Sequence, residues 1–457
     1  MITRHFIDVV TNGTKRRVHY RVAGVGPPML MVHQSPRSSK EYEPLMQKWA
    51  SHFTCIAPDT PGFGQSDSLH GRPEIDEYAD ALVEFLDTLG VKKCAAYGFH
   101  SGGIILVSAL KRHANRFTTL AIGGYAIWTP EEQKLFGEKY LPEFHPSKYG
   151  EHLIWLWNRI LEQTWFFPWF AADDKHRLSV ANDDPQRIDL IVREMLYAGN
   201  AYQAGYGAVL RAANDIPAVN ADMPPCLISA YDGDPLQAHL DRLGTMPSSW
   251  STRKFATPEE HQTASLAHLR QSETPEAAHL NETQDEGFIH IETKLFNGLV
   301  HWHGDRGADR LQLHAPGQDS GCNNEDGRAI HIDLPGHGLS DDWMDDAPTD
   351  WQSWQAVVNA CLCHFDASES IFPALPKGDP EKLYPDLSPD RFGNYLTIAW
   401  QIARARRLFE PWYEANAAHA ISFAPESLAP DQLALDHLAL LNARSAKAYH
   451  LALESRS

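Results

Sequence analysis

Cys94-Ala-Ala-Tyr-Gly-Phe-His-Ser-Gly-Gly-Ile-Ile105 is the stretch on which the reading of this chain turns. Its apolar first half has strand character, and a tight turn at Gly-Phe-His-Ser-Gly leads into the start of a helix. Where a strand turns straight into a helix the two backbones almost touch, so the residues two before and two after the tip must be small. Gly98 and Gly102 meet that demand with His100 at the tip. With Ser101 at the tip, bulky Phe99 would stand in the crowded position.

Composition limits the partners. The chain has 457 residues, enough for one large or two medium domains, and its 43% apolar content is ample for buried cores. A formal charge of -19 opposes nucleic acid and anionic membranes, both of which repel an acidic surface. The six cysteines (Cys55, Cys94, Cys226, Cys322, Cys361 and Cys363) are scattered, several in apolar runs, which suits reduced core thiols better than a disulfide framework. Cys361-Leu-Cys363 lacks a second ligand pair for zinc, and no metal or cofactor is expected. No signal core and no run of 18 apolar residues is present, so a cytoplasmic protein acting on a small molecule is expected.

Outward from the turn, the first 272 residues resemble the α/β-hydrolase superfamily. The turn is similar to that superfamily's nucleophile elbow, with histidine where serine is usual. Asp59-Thr-Pro-Gly-Phe-Gly-Gln-Ser-Asp67 resembles its Asp-x-Pro-Gly-x-Gly-x-Ser turn. His113-Ala-Asn-Arg116-Phe117 resembles the end of the helix after the elbow, with Arg116 sixteen residues past His100, in agreement with His100 as the tip. The resemblance implies a mostly parallel, doubly wound α/β sheet. It also implies a helical cap at about 127–215, the stretch rich in Trp, Phe and Pro.

The rest of the chain repeats the beginning. Phe288–Thr293 matches Phe6–Thr11, and Val300-His-Trp302 matches Val18-His-Tyr20, both at an offset of 282. Leu313-His314 matches Val32-His33 at 281, and Asp333–Asp341 matches Asp59–Asp67 at 274. Eight cap positions, from Pro142/Pro385 to His176/His419, recur at 243. Such ordered windows indicate an internal duplication. The drop from 274 to 243 means that 31 residues are missing between Asp341 and Pro385, where the first copy holds the elbow, its helix and the next strand. The expected organisation is a hydrolase-like domain over 1–275, a linker over 276–287, and a truncated repeat over 288–457 without elbow or triad. An intrachain pseudo-dimer through the two caps is expected.

The resemblance calls for an elbow group, an acid after a late strand and a histidine near the end of the core. Asp234, before Pro235 at the end of Cys226–Ala230, fits the acid, with Asp232 as alternative. His261 lies 27 residues further on, with His268 as fallback. His100 at the tip suits general-base chemistry; Ser101 is the alternative nucleophile. His33-Gln34-Ser35-Pro36 stands where the oxyanion loop belongs, so the N–H groups of Gln34 and Ser101 are the expected oxyanion donors, with His33 alongside. A metal held by His33, His100 and Asp234 has no diagnostic spacing. His176 is expected to be structural, because the second copy keeps it as His419 without a catalytic set. The expected function is turnover of a small, partly apolar ester or carbonyl compound. A non-catalytic binding protein and a two-histidine lyase or isomerase are the alternatives.

Overall fold

A computed structural model describes residues 1–11, 13–178, 184–212, 216–271, 285–323 and 328–456. The chain divides into two compact units. The first comprises Met1–His145 and Asn158–Glu282, the second Pro146–Trp157 and Thr283–Ser457.

Among the described residues the first unit is built on eight strands: β1 (Ile2–Thr11), β2 (Thr14–Ala23), β3 (Pro28–Val32), β4 (Thr54–Pro58), β5 (Cys94–Phe99), β6 (Phe117–Gly123), β7 (Cys226–Tyr231) and β8 (Trp250–Phe255). Their order is β1-β2-β4-β3-β5-β6-β7-β8, with the β1–β2 and β2–β4 pairs antiparallel and the rest parallel. The central strands are covered on both faces, which explains continuous apolar runs such as Met29-Leu-Met-Val32, all fully buried. β8 is an edge strand and carries Ser251, Thr252, Arg253 and Lys254 outward. The helix Ile75–Thr88 buries Ile75, Tyr78, Ala79, Leu82, Phe85 and Leu86 at three- and four-residue spacing, and Glu74 caps it. The cap contributes helices Pro130–Lys139, Pro185–Ala198 and Ala201–Arg211. Cap residues 179–183 and 213–215 lie outside the described residues, as does 276–284 of the expected linker.

Among the described residues the second unit has five strands: β9 (Glu286–Glu292), β10 (Asn297–Gly304), β11 (Arg310–Leu313), β12 (Ile330–Ile332) and β13 (Glu369–Ile371). Their order, β13-β11-β12-β10-β9, repeats that of the first five strands of the other sheet, with the same parallel and antiparallel senses. β9 begins at Glu286, inside the stretch expected to be linker. The elbow strand itself is not wholly lost. β13 occupies its place beside β11, so the missing residues begin after Ile371. The open side of β11 explains why: its backbone groups need a partner, and three residues supply it.

The two sheets also share a side-chain network. His19 Nδ1 pairs with Asp59 Oδ2 at 2.8 Å, and His301 Nδ1 with Asp333 Oδ2 at 2.9 Å. Asp59 Oδ1 accepts from Ser39 N–H at 2.8 Å, and Asp333 Oδ1 from Ser320 N–H at 2.7 Å. Burial opposes ionisation of both aspartates, yet their histidine partners hold them well below the usual carboxylate range. Cys55, Cys94, Cys226 and Cys361 are free and buried. Among the described residues no helix is long and apolar enough to cross a membrane.

The segment 146–157, expected to be part of the first cap, belongs to the second unit because of what it packs against. His152 meets Trp400 with ring centroids 4.8 Å apart, and Trp157 meets Tyr395 at 5.8 Å, both edge-on. At the offset of 243, His152 corresponds to Tyr395 and Trp157 to Trp400, so the same contact is made twice with roles exchanged. Trp157 and Trp400 are both buried. Truncating either ring to alanine is expected to destabilise the second unit by on the order of 3–5 kcal/mol. Urea unfolding of the full chain checks this, and a loss under about 1 kcal/mol for Trp400→Ala would show that the exchanged contact does not hold this unit together.

Candidate active site

The tip of the elbow is His100, with φ 48° and ψ -115°, between β5 and the helix Ser101–Arg112. This backbone conformation is costly for a side-chain-bearing residue and recurs at functional tips. The glycines make it possible. A Cβ on Gly98 would stand 2.8 Å from the Gly102 carbonyl carbon, and one on Gly102 would collide with the Val32 carbonyl. The glycine spacing thus places His100, not Ser101, at the point of the turn.

His100 reaches Asp234 directly: Nε2 lies 3.0 Å from Asp234 Oδ1. Asp234 follows β7, and the same Oδ1 accepts from Leu236 N–H at 2.8 Å. Burial works to raise the Asp234 carboxyl, but the charge and hydrogen bond of His100 and the Leu236 N–H bring it below its ordinary value. An ionised carboxylate only accepts, so Nε2 carries the proton and the Nδ1 lone pair is left for chemistry. The His100 side chain is 22% exposed, whereas that of Asp234 is 1% exposed. The imidazole is open to solvent and its orienting acid is not.

The other expected residues fall elsewhere. His261 is buried on the helix Pro258–Leu269, with Nδ1 2.9 Å from Ser229 Oγ and Nε2 3.1 Å from Tyr97 OH. It packs edge-on to Phe99 at 6.0 Å and does not share the His100–Asp234 bond. The reason is side-chain length. A serine tip would leave room for an imidazole between it and the acid, but a histidine tip spans that gap itself. Ser101 is buried at the first turn of its helix, and its Oγ accepts from Ser35 N–H at 2.5 Å. Asp232 is exposed and accepts from Gln237 Nε2 at 2.7 Å. His268 pairs with Thr119 Oγ1 at 3.0 Å. His176 pairs with Asp173 at 2.7 Å on the surface.

Of the expected oxyanion donors, the Ser101 N–H opens a helix and has no partner among the described residues. The Gln34 N–H is taken by Glu41 Oε1 at 2.7 Å, and Gln34 Nε2 donates to Glu41 Oε2 at 2.9 Å. Glu41 is a residue that the sequence did not single out. Burial holds it above the usual carboxylate range against the pull of Arg37, His33 and the Gln34 bonds. Glu194 of the cap accepts from Ser38 N–H at 3.0 Å and from Arg37 Nε, tying the helix Pro185–Ala198 to the same loop. His33 is a strut: Nε2 accepts from Thr60 N–H at 2.9 Å, as His314 accepts from Leu334 N–H at 3.0 Å in the second unit. The cap rings Trp128, Phe136, Tyr140 and Phe167 pack chiefly on one another.

Burial lowers the His261 imidazole from 6.5 to about 4; Asp234 opposes this and His100 adds to it. The unfolded chain keeps the ordinary value, so it binds the extra proton first as pH falls through that window, and stability drops. The expected loss from His261 between pH 7 and pH 5 is about 2 kcal/mol. His152 and His239, also lowered to about 4, add acid losses of their own, so the test is a difference. His261→Asn should flatten the pH 5–7 slope of urea-derived stability relative to the parent. An unchanged slope would mean that His261 is not held neutral in the fold.

Residues 27–136 match a family model described as alpha/beta hydrolase fold. The match includes Gln34 and the elbow and ends before Asp234 and His261. Haloalkane dehalogenase 2 of Mycobacterium bovis is 33% identical over 118 residues, which is 26% of this chain and 41% of that protein. The chain therefore spans about two fifths of the length of that relative. Among solved structures, a thermophilic esterase from Thermogutta terrifontis superposes with a TM-score of 0.43 at 19% identity, covering 58% of this chain and 98% of that one. Epoxide Hydrolase A from Mycobacterium thermoresistibile gives 0.44 at 15% identity, covering 60% and 100%. Sheet order, elbow geometry and the family match over residues 27–136 agree: the first unit has the α/β-hydrolase fold.

Proposed function

We propose that the first unit hydrolyses a small, partly apolar ester or activated carbonyl compound by base-assisted attack of water, with His100 and Asp234 as a dyad. The observation that carries this reading is the 3.0 Å bond from His100 Nε2 to Asp234 at the elbow tip, which leaves Nδ1 as the ring nitrogen available to act as base. In the first step Nδ1 removes a proton from water as its oxygen bonds to the substrate carbonyl carbon. The carbonyl electron pair moves onto oxygen, where the Ser101 N–H is placed to donate to it. In the second step that pair returns, the C–O bond to the leaving group breaks, and the alkoxide takes the proton back from Nδ1. Asp234 keeps the tautomer and stabilises the transient imidazolium. No acyl-enzyme forms, because Ser101 Oγ has no base beside it among the described residues.

One observation favours the competing reading of a ligand-binding protein without turnover: Glu41 occupies the second oxyanion donor, the Gln34 N–H. Kinetics on a panel of p-nitrophenyl esters of short and aromatic acids separates the two. His100→Ala and Asp234→Asn are expected to lower kcat/KM by about 10²–10⁴-fold, whereas Ser101→Ala keeps it and a fluorophosphonate probe labels nothing. Labelling that disappears only in Ser101→Ala would sink the dyad. Absence of turnover by the parent protein across the panel would favour the binding reading.

A further inference from the structure

The second unit carries an open cavity of about 670 Å³, a size that suits a small organic ligand. Its walls are the loop after β11, the segment 373–377 after β13, and the end of the helix Asn394–Arg406 with the residues that follow. By strand order β11 and β13 stand where β3 and β5 stand in the first sheet. The cavity therefore lies beyond the carboxyl ends of parallel strands, the position at which open α/β sheets take their ligands. The chemistry of that position is gone. β13 ends at Ile371 and runs into Phe372-Pro373, with no nucleophile, acid or base at its tip.

The lining has been recharged rather than filled. At the offset of 243, Trp412 keeps the place of Trp169, but Arg406 stands at the position of Gln163 and Glu410 at that of Phe167. Lys377 and Arg406 face the cavity with Glu410, which lies 3.7 Å from Lys377. Arg406 is also the fixed one of the two cations. Its Nη1 donates to the Gly317 carbonyl at 3.1 Å, and its guanidinium stands 5.6 Å from the Tyr384 ring. Gly317 has φ +77°, and a Cβ there would come within 2.8 Å of Nη1 and 2.9 Å of Nη2. A side chain at 317 would crowd the guanidinium where it now stands. Beside it, Trp412, Leu375 and Pro316 give an apolar wall.

We propose that this cavity is a binding site, without turnover, for a small monocarboxylate with an apolar body, the carboxylate at Arg406 and the body against Trp412. A planar guanidinium matches a carboxylate geometrically, and the apolar wall supplies the remaining affinity. The full-length chain should bind benzoate, phenylacetate or octanoate saturably at one site in calorimetric titration, and benzamide, the neutral isostere of benzoate, about tenfold more weakly. Arg406→Gln, which installs the residue of the first copy, should weaken carboxylate binding about tenfold. Trp412→Ala should weaken it as well, and His100→Ala should not change it. The proposal fails if none of the three acids binds, if benzamide binds as well as benzoate, or if affinity survives Arg406→Gln. It fails equally if His100→Ala removes the binding, since that would place the ligand in the first unit. None of these outcomes depends on the hydrolytic reading.

Discussion

Everything that the first unit can do chemically rests on one close approach, between the backbones at Gly98 and Gly102. A Cβ on Gly98 would meet the Gly102 main chain and one on Gly102 the Val32 carbonyl, and the residue at the tip between the two glycines is driven to φ 48°. That residue is lifted out of the sheet while its neighbours stay packed: Phe99 lies on the Tyr231 and His261 rings, and every residue from Ser101 to Leu110 is buried. The strain at one residue is offset by a helix whose whole first half is core. From that tip an imidazole is long enough to meet Asp234. The dyad is thus a consequence of putting a large side chain where the scaffold ordinarily presents a short one.

What could be read from the chain alone follows from how local each signal is. The glycine spacing and the turn at Asp59–Asp67 depend on backbone contacts within a few residues, and they carried the fold class and the tip. Asp234 was legible because a strand end followed by Asp-Pro is a local pattern. The pairing of Asp234 with His100 and not His261 was not, because it depends on how far a side chain reaches across the top of the sheet. The capture of the Gln34 N–H by Glu41 is likewise a tertiary event: nothing in the order of residues 34–41 says that the carboxylate folds back. The deletion in the second copy was legible from the offsets, but its start was not, since three residues of strand carry too little pattern to be recognised.

The repeat makes the chain its own comparison. Features kept in both copies serve the architecture, as with His19–Asp59 and His301–Asp333, or His33 and His314, each bridging the same two loops. By that standard His33 is a strut, although it lies beside the elbow. Features confined to one copy serve something else. The Arg37, Glu41 and Glu194 cluster belongs to the first copy, where position 194 corresponds to His437, a buried residue bonded to the Leu396 carbonyl. Arg406 and Gly317 belong to the second.

The shortness of β13 has a consequence for solubility. A sheet cut back to five strands ends in a row of backbone donors and acceptors able to recruit a strand from another molecule. β13 offers only Glu369–Ile371 for such recruitment, and Glu369 is tied to Arg310 at 2.7 Å. Pro373 and Pro376 follow at once, and proline cannot donate to a ladder. The truncated sheet is therefore blunted at the edge where the deletion cut it, which is how half a fold can persist without templating its own aggregation.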